Sequence, residues 1–83
     1  MRHNQKLNYE GLREEAARAV NESGQTQTTI ASEMGVSQGL ISRALRETGP
    51  GLAKAQRDMI AHLTEYVAEE EVEVCFRIKR KGL

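Results

Sequence analysis

The chain has no tryptophan, one phenylalanine, one proline and one cysteine in its 83 residues. A lone cysteine, Cys75, excludes an intrachain disulfide framework and a cysteine-based zinc site, and it fits a reducing cytoplasm. No apolar run approaches the ~18 residues that would suggest a membrane span. The opening MRHNQKLNYE carries no apolar signal core, so a cytoplasmic protein is expected. Net charge is absent as well, twelve bases standing against twelve acids. That excludes strong indiscriminate attraction to nucleic acid, which needs a basic excess. Sequence-specific binding stays open, because the local placement of charge decides it. The chain offers no nucleophile with a base and no paired carboxylates in a pocket, so no enzyme is expected and no catalytic residue stands out. His3 and His62 lie far apart without companion ligands, which points to no metal. No small-molecule ligand or cofactor is indicated either.

Length sets one domain over residues 1–83. A domain this small buries only ~60–65% of the surface its unfolded chain exposes, so association into a dimer is a common remedy. There is no internal repeat and no low-complexity segment. Residues 1–7 are polar and expected to be a flexible N-terminus. Asn8 is a good N-cap for a first helix over 9–22, with Leu7 and Leu12 as a hydrophobic staple. Leu12, Ala16, Ala19 and Val20 form its apolar stripe, and Ser23-Gly24 ends it.

The segment 27–46, QTTIASEMGVSQGLISRALR, is the most informative in the chain. It reads as two short helices, 27–34 and 38 to about 47, capped by Thr26 and Ser37 and joined by a turn centred on Gly35. Ala31 is small where the helices cross, Gly35 supplies a positive φ, and Ile41 seals the contact. This is a helix-turn-helix, a unit that places its second helix in the major groove of DNA. Once the buried positions are fixed, Gln38, Gly39, Ser42, Arg43 and Arg46 face outward. Glutamine and arginine read adenine and guanine edges, and serine accepts several partners. Gly39 removes a side chain and lets a backbone approach closely. Gln27 and Thr28 sit where a helix N-terminus can hold a phosphate. Ser37 joins the same surface. Leu40 has two readings, packing on a fourth helix or touching a thymine methyl.

Gly49-Pro50-Gly51 is a firm stop. Leu52, Ala55, Met59, Ile60, Leu63 and Val67 then predict a fourth helix over 52–67. After it the period changes to two. Val72, Val74, Phe76 and Ile78 alternate with Glu73, Cys75, Arg77 and Lys79, which predicts a half-buried strand with Cys75 on its polar face. The chain shows no second strong strand. A lone strand leaves its ladder unpaired, so its natural partner is the same strand of another copy. Residues 70–81 are therefore expected to be a dimerisation strand with a basic tail, and Val72, Val74, Phe76 and Ile78 its interface. The tail bases Arg77, Lys79, Arg80 and Lys81 have two readings, a solubilised edge or a phosphate-contacting arm. The expected fold is mainly α, about four helices with a C-terminal β-strand paired across a homodimer.

The segment resembles the helix-turn-helix of Cro-type phage repressors and the wider Xre/Cro-like group. The matching residues are Gln27, Thr28, Ala31, Gly35-Val36, Gln38 and Ile41, within about twenty residues of the chain. The resemblance implies phosphate contact from Gln27, base contact from Gln38, Ser42 and Arg43, and a C-terminal strand joining two subunits. Gly39 departs from the hydroxyl residue of Cro itself, and the fourth helix is longer than the Cro pattern. The expectation is a homodimeric repressor bound to double-stranded DNA at a pseudo-palindromic operator. The alternative is a protein-interaction module, antitoxin-like or an adaptor, which zero net charge favours.

Overall fold

The computed structural model describes residues 2–71 and 75–82. Its order is β1 (Lys6–Leu7), α1 (Tyr9–Ser23), α2 (Gln27–Met34), α3 (Gln38–Arg46), α4 (Pro50–Leu63), β2 (Tyr66–Glu70) and β3 (Phe76–Arg80). α1 and α4 pack against a three-stranded antiparallel sheet ordered β1-β3-β2, and α3 packs on α1 and α4 and carries α2.

The helix boundaries follow from local chemistry. Asn8 accepts the Gly11 amide at 2.8 Å and opens α1, and Gly24 closes it at φ 69°. Thr26 accepts from Thr29 and Ser37 from Leu40, each at 3.1 Å, starting α2 and α3. Between them Gly35 sits at φ 72°, and the Val36 amide returns to the Ala31 carbonyl at 3.0 Å. Ile30, Ala31, Ile41 and Ala44 are buried where the two helices cross.

The helix expected over 52–67 is corrected at both ends. Pro50 occupies the first turn of α4 rather than blocking it, because proline's missing N–H is not needed there. At the other end Thr64 turns extended, and its hydroxyl donates to the Ile60 carbonyl at 2.7 Å. Tyr66 and Val67, aromatic and β-branched, then join a strand instead of a fifth turn.

The expectation of a single unpaired strand is overturned. β2 pairs with β3 from Tyr66↔Arg80 to Glu70↔Phe76, and β1 pairs with its other edge at Lys6↔Arg77 and Leu7↔Phe76. Asn4 donates to the Ile78 carbonyl, Ile78 donates to Gln5, and the Arg80 amide donates to His3 Nδ1 at 2.8 Å. Of the segment 1–7 expected to be a flexible N-terminus, residues 2–7 thus contribute a strand and its approach. The strand was hidden because two residues carry no readable period.

Phe76 and Ile78 are fully buried in their own chain's core with Leu7, Ala68, Leu12 and Met59. They are core residues, not an interface between copies. Both edges of β3 are filled within the chain, so the strand pairing expected across a homodimer has no free β3 ladder from Phe76 to Arg80. Val72 and Val74, assigned to the same interface, lie outside the described residues. Cys75, expected on a polar face, is buried.

Among the described residues the longer edge ladder belongs to β2. Lys81 donates to the Glu65 carbonyl and Glu71 to the Cys75 carbonyl, so odd-numbered residues of β2 turn their backbone groups toward β3. Ala68 and Glu70 turn theirs away from it.

Candidate nucleic-acid interface

The side chains assigned to reading lie on one surface. Ser37, Gln38, Gly39, Leu40, Ser42, Arg43 and Arg46 line a shallow, open depression of about 630 Å³ along α3. Gln38, Gly39, Arg43 and Arg46 are exposed, and Ser42 and Leu40 are half-buried. Neither α2 nor α3 has an acid in its first turn. The Gly35 turn and the buried Ala31 and Ile41 set this face outward, as the spacing requires.

Gln27 and Gln38, which open the two helices, meet across the motif. Gln38 Nε2 donates to Gln27 Oε1 at 3.4 Å. Thr28 is exposed beside them. The Ser37 oxygen is occupied as the cap of α3, leaving its hydroxyl proton free to donate. Arg46 Nε donates to the Ser42 carbonyl at 3.2 Å. Arg43 lies 3.5 Å from Glu47, both at least half exposed. Such a surface pair contributes ~0–1 kcal/mol. A bidentate base contact discriminates by ~1–3 kcal/mol, so Arg43 can leave Glu47 for a base edge.

Gly39 is open to solvent on its Cβ side. A methyl group there would meet nothing nearer than the Ser37 hydroxyl at 4.0 Å, and its φ is not in the left-handed region. The packing of the chain does not call for glycine at this position. Leu40, half-buried, lines a second, smaller hollow with Met34, Val36 and Ala55, which matches its packing reading.

The C-terminal bases are each engaged within the chain. Arg77 pairs with Glu71 and donates to the Asn4 carbonyl. Lys79 donates to Asn4 Oδ1, and Arg80 meets Glu65 and the Tyr66 hydroxyl. Lys81 donates to the Ala61 and Thr64 carbonyls at the end of α4. Arg77 holds the Glu71 carboxyl below the ordinary glutamate range, chiefly through its hydrogen bond. β3 is the central strand, so the reading of these bases as keeping an edge strand soluble does not apply, and their partners tie the sheet to the rest of the chain.

Two residues around α3 carried no functional expectation from the sequence. Gln56 is fully buried in α4, and Arg13 reaches α3 from α1, donating to the Leu45 carbonyl at 3.2 Å. The sign of Gln56 in the sequence is an amide on the apolar stripe between Leu52 and Met59. Away from this surface, His62 and Glu33 form a 2.7 Å pair between α4 and α2. Among the described residues no cluster of His, Cys, Asp or Glu could hold a metal ion. Among the same residues, no helix is long and apolar enough to cross a membrane.

No family model, curated protein or solved structure matches this chain.

Proposed function

We propose that the chain is a sequence-specific double-stranded DNA-binding regulator of Cro-like type, acting in the cytoplasm as a homodimeric repressor at a pseudo-palindromic operator. The observation that carries the reading is the exposed, acid-free start and outer face of α3, uncovered by the described residues and turned outward by the Gly35 elbow. Gln38, Ser42 and Arg43 read base edges. Gln27, Thr28 and Arg46 hold phosphates, and Ser37 and Gly39 let the start of α3 approach. The two copies pair antiparallel along β2, whose outward backbone groups at Ala68 and Glu70 have no backbone partner among the described residues. Half-sites then lie about one helical turn apart, ~34 Å.

Selection from a random duplex library tests this directly. A recovered two-fold-symmetric sequence, bound with affinity that falls steeply as salt rises to ~200 mM, is the expected result. A library that shows no enrichment and no salt-sensitive shift removes the assignment. It would favour the protein-interaction module, for which the balanced net charge and the internally paired bases of β3 speak.

A further inference from the structure

We infer that Gln56 is a positioning residue, fixing from inside α4 the C-terminal end of α3 and with it the angle at which Arg43 and Arg46 are presented. The pose follows from geometry alone; its consequence for DNA rests on the function proposed above. Gln56 is fully buried, at a helical position whose neighbours Leu52, Met59 and Ile60 are buried and apolar. An apolar side chain is the default at such a site, since a buried amide must be paired or is costly. Its Nε2 donates to the Ala44 carbonyl at 2.8 Å and to the Glu47 carbonyl at 2.9 Å. The Oε1 of the same amide has no partner among the described residues. The amide therefore serves α3 with both of its protons and nothing with its oxygen.

The carbonyls it serves lie in the last turn of α3 and in its cap. A helix leaves its last four carbonyls without internal partners. The Glu47 amide takes that of Arg43, Gln56 takes that of Ala44, and Arg13 takes that of Leu45. The end of α3 is thus held from two sides, by α4 and by α1. Two hydrogen bonds from one planar amide fix direction as well as distance, which apolar packing does not. Arg43 and Arg46 project from this same last turn. A small swing of the turn would move their guanidinium groups by more than the tolerance of a bidentate contact.

Gln56→Met keeps length and burial and removes both donors. Ile78→Val, in the sheet, serves as a destabilised control. Without DNA, amide exchange at Leu45, Arg46 and Glu47 is expected to be about tenfold faster in Gln56→Met than in the control. Equal rates in the two variants overturn the assignment. With DNA, the ratio of affinities for the selected duplex over random duplex is expected to fall about tenfold in Gln56→Met and to stay unchanged in the control. An unchanged ratio in Gln56→Met also overturns it. A wild-type protein that enriches no duplex removes the DNA reading instead, and the exchange rates then decide the pose of α3 by themselves.

Discussion

At Gly39 the packing does not ask for the glycine that stands there. Glycine inside a helix costs ~0.5–1 kcal/mol relative to alanine, and no neighbour stands where an alanine methyl would go. Gly39→Ala is expected to raise the melting temperature while lowering affinity for the selected duplex. A variant that is more stable and binds unchanged would show that the backbone of Gly39 does not approach DNA. Residue-scale features of this kind are legible in sequence when they are local. The caps Asn8, Thr26 and Ser37 and the Gly35 elbow were readable because each acts on residues two to four positions away. Gln56 was not, because its meaning lies in carbonyls nine and twelve positions distant.

At the scale of elements, α1, α2 and α3 have the extents their periodicity predicts, and the sheet does not. The approach and start of β2, residues 64–67, continue the helical spacing of α4, so Val67 reads equally well as the end of a stripe. What decides is pairing with β3, a tertiary fact. The alternation through Phe76 and Ile78 correctly marked a half-buried strand; its partners were the part that sequence concealed. With β3 occupied on both sides, the edges are β1, two residues long, and β2, the longer ladder for a second copy. Glu70→Pro removes an outward-facing N–H and no bond to β3, so proline is tolerated there. Sedimentation is expected to show a monomer with unchanged helical circular dichroism. A dimer that survives the substitution places the interface away from β2.

For the whole molecule, the core joins segments remote in the chain. Phe76 packs its ring 5.5 Å from that of Tyr9, and Leu7 lies opposite it in the sheet. Phe76→Ala is expected to cost ~3–5 kcal/mol, enough to unfold much of a small domain whose total is ~5–15 kcal/mol. Thermal melting measures it, and a loss below ~1 kcal/mol would contradict the full burial of the ring. Acid acts through Glu71. Because its carboxyl is held below its ordinary range, the ion pair with Arg77 stabilises above the unfolded value and is lost as pH falls through the folded one. The melting temperature is expected to decline less steeply below about pH 5 in Glu71→Gln than in the wild type; identical slopes would show that the pair is silent in solution.

The contact between His3 and the Arg80 amide, 77 positions apart, brings the two ends of the described chain together. A short linker could close that gap, and the exposed Gly24-Gln25 bend could be cut to give new ends. Such a circular permutant would reorder the chain while leaving α2, the elbow and α3 contiguous. Retained duplex selection by it would mean that the proposed α3 surface depends on the packed fold and not on the order in which the pieces are written.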